Sequence, residues 1–226
     1  MIPSSKIAII IPALNAASTL PELFRRIRSI LGQVLIVVVD DGSTDNTSDV
    51  AKDNGAVILR HEQNLGKGAA LRSGFRYILT LPEIEFILTM DADLQHRPED
   101  IPQLLEHREK TFSYIVIGNR KRYGVCMPFH RILSNTITST LVSWKTHQLV
   151  KDSQCGFRLI HRNVIANIEC TTNGYEAETE FLIRASRKGY RFSFAPIETV
   201  YGNERSYMTH LQTTINFLKV LLRKYS

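Results

Sequence analysis

Two runs of branched apolar residues, Ile7–Ile11 and Val34–Val39, constrain this chain more than anything else in it. Each is too short for a helix and lacks polar alternation, so each reads as a strand buried on both faces. Such strands need helices above and below them, and the intervening segments supply these. Thr19–Leu31 places Leu20, Leu23, Phe24, Ile27 and Leu31 at helical spacing, with Gly32 as its stop. A polar helix then runs from Asp45 to Gly55, and Ala56–Arg60 is a third strand. Gly66–Leu81 reads as a helix, Glu85–Met90 as a fourth strand, Pro98–Lys110 as a helix and Tyr114–Ile117 as a fifth strand. The rhythm predicts an α/β fold: a mostly parallel central sheet with helices on both faces.

Ligands of such sheets bind beyond the carboxyl ends of the strands. Three of those ends carry polar clusters: Pro12–Asn15, Asp40–Asp45 and Asp91–Gln95. The second half reads differently. Pro128–Leu149 puts Phe129, Leu133, Ile137, Leu141 and Trp144 on one helical stripe. A helix is expected near Glu176–Lys188 and a strand near Arg191–Ala195. The final segment sets Leu211, Ile215, Leu218 and Leu222 on one face, opposite Gln212, Asn216, Lys219 and Arg223. With no repeat and no Gly-, Ser- or Pro-rich linker, a single domain is expected, spanning 1–207, with 208–226 as a terminal amphipathic helix.

Composition sets outer limits. In 226 residues, 43% hydrophobic and 22% charged, neither low complexity nor wholesale disorder fits. The 28 Lys and Arg exceed the 22 Asp and Glu, a net charge of +6 that favours an anionic partner. Cys126, Cys155 and Cys170 lie far apart without CxxC spacing, which argues against a disulfide scaffold or structural zinc and suits a reducing compartment. No apolar stretch approaches the roughly 18 residues of a membrane span, and no signal peptide is read. A cytoplasmic protein is expected.

The chemistry concentrates after the fourth strand. Asp91 and Asp93 stand two apart in extended chain, point roughly the same way, and repel unless a cation intervenes. Mg²⁺ and Mn²⁺ take oxygen ligands and bridge carboxylates to phosphates, and Gln95 adds an amide oxygen at the next alternate position. A solvated loop with Asp93 or Gln95 capping a helix is the plainer alternative. In Asp40–Asp45, one of Ser43, Thr44 and Asp45 caps the following helix. Capping leaves Asp41 to accept from a nucleobase or ribose. Gln63–Gly68 resembles a phosphate cradle without P-loop spacing, and a turn opening a helix is its alternative.

Four segments taken in order resemble glycosyltransferase family 2: Ile10-Ile11-Pro12-Ala13-Leu14-Asn15, Val39–Asp45, Asn64–Gly68 and Asp91-Ala92-Asp93-Leu94-Gln95-His96. The likeness is greatest to the dolichyl- and polyprenyl-phosphate mannose synthases and their glucosyl relatives. Gly118-Asn119-Arg120, Asp152–Arg158 and Gly174–Glu180 extend it to about residue 205. The resemblance implies a GT-A catalytic domain, a nucleoside-diphosphate sugar donor, dependence on Mg²⁺ or Mn²⁺, and inversion at the anomeric carbon. It assigns the nucleoside to Pro12, Ala13, Leu14, Val39 and Asp41, and the diphosphate and metal to Asp91, Ala92, Asp93 and Gln95. Asp93 and Gln95 are then the direct ligands. It also puts Arg120 and Arg205 near phosphates, and Glu178 where hydroxyl-glycosylating members keep a base, with Asp152 next. The family usually has Glu where Ala16 stands here.

The expected reaction moves a hexose, mannose or glucose, to a polyprenyl phosphate. The alternatives are a sugar hydroxyl in a cell-surface polysaccharide or glycolipid, or a non-catalytic nucleotide-sugar binding module. Nucleic acid is not expected, because no stripe combines aromatic and basic residues. The two amphipathic helices are expected either to pack on the sheet or on a second copy of the chain, or to lie reversibly on the cytoplasmic face of a membrane.

Overall fold

The computed structural model describes residues 2–120, 129–198 and 210–225. In chain order these form β1 (Ile7–Ala13), α1 (Leu20–Leu31), β2 (Leu35–Asp40), α2 (Thr47–Asp53), β3 (Val57–Arg60), α3 (Lys67–Leu79), β4 (Phe86–Thr89) and α4 (Ile101–Thr111). There follow β5 (Ile115–Arg120), α5 (Phe129–Thr146), β6 (Arg158–His161), α6 (Arg162–Asn167), α7 (Ala177–Arg187), β7 (Phe192–Ile197) and α8 (His210–Leu222). The predicted α/β architecture is present, with element ends within a few residues of those expected.

The described strands make one sheet in the order β3-β2-β1-β4-β6-β5-β7. β1 pairs in parallel with β2 and β4, β2 with β3, and β5 with β7. The chain moves outward from β1 to β3 and then returns past β1 to β4. Right-handed crossovers therefore put α3 on the face opposite α1 and α2. The reversal between β1 and β4 is a topological switch point, where the strand ends diverge and leave a crevice. Pro12–Asn15 and Asp91–Gln95 flank it.

Three features depart from expectation. β6 was not anticipated: Arg158–His161 runs antiparallel between β4 and β5, with Leu88 opposite Leu159 and Val116 opposite Leu159. Four residues are too few to show a period, and here the partner strands create the element. The second departure is α5. Its apolar stripe does not pack inward: Leu133, Ile137 and Trp144 are exposed, and the buried face holds Asn135, Ser139 and Thr146 beside Val142. Phe129 lies in the helix, but its side chain is outside the described residues. α8 is docked by residues off the expected stripe, because Val220 and Leu221 pack with Ile183 and Tyr225.

Candidate active site

Beside the switch point β1 and β2 end together, with Ala13 opposite Asp40. Asp40 is fully buried, and its carboxylate accepts the Ser43 N–H at 2.8 Å and the Ser48 hydroxyl. Asn15 sits in the left-handed region (φ 52°) and fastens one strand end to the other. Its N–H donates to Ser43 Oγ at 2.9 Å, and its Oδ1 accepts from Thr44 N–H at 2.9 Å. Ala16, at the position where the family usually has Glu, donates its N–H to Thr47 Oγ1 at 2.8 Å. Asp45 accepts the Thr47 N–H at the start of α2.

Asp41 has more structural work than predicted. Leu65 and Gly66 donate backbone N–H groups to it at 3.0 and 2.7 Å, and His61 Nδ1 lies 2.6 Å from Oδ1. His61 Nε2 is in turn 2.9 Å from Ser73 Oγ. Three of the roughly four acceptor positions of a carboxylate are thereby used, so at most one remains for a nucleoside. Gly42, at φ 78°, lets this loop close, since a Cβ there would stand 2.5 Å from the Gln63 carbonyl carbon. Val39, expected beside the nucleoside, is enclosed in the sheet. It has no exposed surface and lies in the ladder between Pro12 and Leu59, so its side chain serves the core. Pro12 and Leu14 keep part of their surface open at this edge, while Ala13 is buried.

Beyond β4, Leu94 also adopts a left-handed conformation, φ 63°, which costs a branched side chain about 1–2 kcal/mol. Non-glycine residues held this way cluster at functional sites. The resulting turn lets Asp93 Oδ1 accept the Gln95 N–H at 3.0 Å, fixing Asp93 at its tip. Ala92 is buried beneath it. His96 folds back, stacks on Phe157 at 5.4 Å and accepts the Asp91 N–H at 3.3 Å. Burial pushes its imidazole down to about 4, so it is neutral at physiological pH.

Asp91 meets a cation that the sequence did not assign to it. Lys67 Nζ, from the first residue of α3, lies 2.6 Å from Asp91 Oδ1 and 2.8 Å from Glu178 Oε1. Burial works against the ammonium, yet the two carboxylates hold it above the ordinary lysine range. Burial likewise opposes ionisation of Asp91, and Lys67 overrides it, bringing the carboxyl to about 2. Gly156 makes this triad possible: a Cβ there would stand 2.9 Å from both Lys67 Nζ and Glu178 Oε1 and 3.1 Å from Asp91 Oδ1. Arg158 fixes the same loop from below, donating to the carbonyls of Cys155, Ser153 and Glu178 at 2.8–3.1 Å.

Arg120 is clamped at the end of β5. Its Nε and one terminal nitrogen donate to Asp152 Oδ2 and Oδ1 at 2.7 and 2.9 Å. Asp152 is 0% exposed, and Asn135 Nδ2 on α5 donates to it at 3.0 Å. Asp152, the second candidate base, is enclosed in this way. Arg205 lies outside the described residues. The fold thus gathers Pro12, Leu14, Asp41, Asp91, Ala92, Asp93, Gln95, Glu178 and Arg120 along one edge of the sheet. Lys67, His61 and His96 were given no role from sequence. Lys67 was visible only as the centre of Gly66-Lys67-Gly68, and its partners are 24 and 111 positions further along.

Among the described residues, no three His, Cys, Asp or Glu side chains gather into a cluster able to hold a metal unaided. The donors at the β4 end are all oxygens, which suits a hard cation completed by phosphate oxygens. A cavity of about 330 Å³ lies behind Glu178, lined by Leu71, Phe75, Ile165 and Phe181. Neither Asp91 nor Asp93 lines it.

Comparison with known proteins agrees with this geometry. The model for Glycosyl transferase family 2 matches residues 8–168, from β1 to just beyond α6. An uncharacterised protein of Methanocaldococcus jannaschii is 34% identical over 214 residues, covering 88% of this chain and 91% of its own length. An undecaprenyl-phosphate 4-deoxy-4-formamido-L-arabinose transferase of Proteus mirabilis is 27% identical over 89% of this chain, which spans 63% of that protein. In structure, glucosyl-3-phosphoglycerate synthase from Mycobacterium tuberculosis, solved with Mn²⁺, UDP-glucose and phosphoglyceric acid, superposes with a TM-score of 0.75. It is 19% identical and matches 98% of this chain and 81% of its own. With the switch-point crevice, the acidic turn after β4 and a family match over most of the sheet in agreement, the chain belongs to glycosyltransferase family 2 and is a glycosyltransferase of the GT-A fold.

Proposed function

We propose that this glycosyltransferase moves a hexose, mannose or glucose, from a nucleoside-diphosphate sugar to a polyprenyl phosphate, with inversion, on the cytoplasmic face of a membrane. The observation that carries the choice of acceptor is the state of the two candidate bases. Glu178 is buried and paired with Lys67, and Asp152 is enclosed by Arg120 and Asn135. A sugar hydroxyl must surrender a proton to a base in the transition state. A lipid monophosphate, with a second pKa of about 6, presents an ionised oxygen at neutral pH and needs none. The likeness to an undecaprenyl-phosphate sugar transferase supports the same acceptor class.

The phosphate oxygen of the acceptor attacks the anomeric carbon as its bond to the nucleoside diphosphate breaks, through an oxocarbenium-like state. The chain's part is to position and to balance charge. Pro12 and Leu14 flank the nucleoside, and Asp41 holds the loop beside it while offering its remaining acceptor position. Asp91, Asp93 and Gln95 would hold Mg²⁺ or Mn²⁺, and the ion would neutralise the departing diphosphate. Arg120, oriented by Asp152, places a positive charge at this edge to balance the phosphates, a role for which Arg is well shaped. Lys67 bridges Glu178 and Asp91 at 2.8 and 2.6 Å, so Glu178 acts here as the partner of an ammonium and not as a base.

The test is a donor panel of GDP-mannose, UDP-glucose, UDP-galactose and UDP-GlcNAc with Mn²⁺ or Mg²⁺, scored for transfer to a short polyprenyl phosphate. In the same assay Glu178→Gln is expected to stay within about tenfold of wild type. A loss of about a hundredfold, the usual worth of a general base, with no turnover of the lipid phosphate, would overturn the acceptor.

A further inference from the structure

The net charge of this chain is not spread evenly along its sequence. Residues 121–151 contain Lys121, Arg122, Arg131, Lys145 and Lys151 and no acidic residue. Residues 206–226 contain Lys219, Arg223 and Lys224, again with no acidic residue. These two segments hold 8 of the 28 basic residues, which leaves 20 basic against 22 acidic elsewhere. The excess of +6 therefore arises wholly from them, and the remainder of the chain is slightly negative.

The same two segments carry seven of the eleven large apolar side chains that are exposed among the described residues. On α5, Leu133, Ile137 and Trp144 face outward, Trp144 being 73% exposed, and Leu149 follows the helix equally bare. On α8, Ile215, Leu218 and Leu222 do the same, with Leu222 76% exposed. Both helices pack on α7, and they meet where Lys145 Nζ donates to the Arg223 carbonyl at 3.3 Å. α8 is held firmly in this place. Arg187 donates to the Tyr225 carbonyl, Tyr225 OH donates to the Val220 carbonyl at 3.0 Å, and Arg223 donates to Thr171 Oγ1 at 2.8 Å. Arg223 is partly balanced by Glu180 at 3.8 Å.

We infer that the outer faces of α5 and α8 form one docking surface for an anionic lipid bilayer, with Trp144 and Leu222 entering the interface. Apolar side chains bracketed by basic residues, without acidic ones among them, suit a layer that is apolar below and negative above. A second copy of the chain would also cover the apolar residues, but a two-fold contact would set like charge against like charge. No helix among the described residues is long and apolar enough to cross the membrane, so contact is from one side. Among the described residues, none assigned to the donor lies on this surface, so docking and acceptor choice stand or fall separately.

Trp144 is the only tryptophan, so its emission reports on this face directly. With vesicles of phosphatidylcholine and phosphatidylglycerol its emission is expected to shift to the blue and to be quenched by brominated acyl chains. The response should be weaker with phosphatidylcholine alone. It should also weaken as salt rises from about 0.1 M to about 1 M, where the screening length falls to roughly 3 Å. Ile137→Glu with Leu222→Glu is expected to reduce vesicle partitioning at least tenfold at unchanged melting temperature, because both side chains are exposed. Co-sedimentation without any change in Trp144 emission would place the contact elsewhere and overturn the inference. So would a blue shift that grows with protein concentration in the absence of vesicles, which would identify a second copy. Failure to bind anionic vesicles would overturn it as well.

Discussion

Removing the Lys67 ammonium should destabilise this protein more than removing any surface charge, and by an amount set by its two partners. Lys67→Met keeps most of the aliphatic stem and deletes the charge. Asp91 and Glu178, which each approach Nζ to within 2.8 Å, would then face one another across the vacated position with Gly156 packed against them. Taking one partner from a buried ion pair costs about 3–5 kcal/mol, because the other charge is left uncompensated. For a chain of this length each kcal/mol corresponds to about 2–4 °C, so a fall of roughly 10 °C in melting temperature is expected at pH 7. Two controls isolate the cause. In Lys67→Met/Glu178→Gln one of the stranded charges is gone, and the double-mutant cycle should show a coupling of about 2 kcal/mol or more. The deficit of Lys67→Met should also shrink as pH is lowered, since a stranded carboxylate can take up a proton. Thermal unfolding followed by circular dichroism reads all of this. A shift of less than about 2 °C, or a deficit indifferent to Glu178→Gln, would refute the triad as an electrostatic unit.

Three shorter predictions come from other parts of the structure. Asp93→Ala removes an oxygen at a turn and leaves the core intact, so transfer should disappear with the fold unaltered. Retention of more than about a tenth of wild-type rate, under about 1.4 kcal/mol of barrier, would rule out Asp93 as a ligand. Glu180 is opposed by burial but accepts N–H and hydroxyl groups of Thr172 and Thr171 and the Arg184 guanidinium, and its carboxyl lies at about 2. Its stabilisation is therefore complete above about pH 4.5 and lost as pH falls toward 2, about 3 kcal/mol in all. Stability of Glu180→Gln measured against pH should lack this decline, and a decline parallel to wild type would exclude Glu180 as its source. Phe112 ends α4 in a left-handed conformation (φ 53°) while largely exposed, so Phe112→Gly should raise stability by about 0.5–1 kcal/mol. A lower melting temperature would show that Phe112 packs to advantage.

The parts of this molecule that could be read from sequence are those whose causes are local. Ile7–Ile11 and Val34–Val39 announce buried parallel strands because nothing polar interrupts them, and strand ends in such a sheet must gather ligands at one edge. The acidic cluster at Asp91–Gln95 is legible as residue types at a strand end, but it forms a turn with Leu94 at φ 63° and not the extended chain expected. What could not be read depends on partners far along the chain. β6 exists because β4 and β5 leave a four-residue gap to be filled, and Asp41 is drawn to the Leu65 and Gly66 N–H groups by a loop closing on Gly42. Val39 matched the pattern of a nucleoside contact, and that pattern gave no sign that its side chain sits enclosed between two ladders.

α5 shows how the site and the surface constrain one another. Asp152 grips Arg120 from a fully enclosed position, and a carboxylate buried there needs more than one donor. Asn135 supplies one, and its own Oδ1 is satisfied by the Ser139 hydroxyl, which also accepts the Ser153 N–H at 3.0 Å. These residues lie at positions 135 and 139 of one helix, and Thr146 extends the same inward face. Hydrogen bonding near Arg120 thus decides which side of α5 turns inward. Leu133, Ile137 and Trp144, on the other side, have no choice but to face out. Hydrophobic periodicity located the helix correctly and oriented it backwards, because the buried face here is chosen by a charge and not by apolar area. The apolar stripe left outside is then a consequence of building the site, and it lies in a segment with five cations and no acid. A chain indifferent to lipid could have replaced those three residues with polar ones at no loss to the core, since none of them contributes to it.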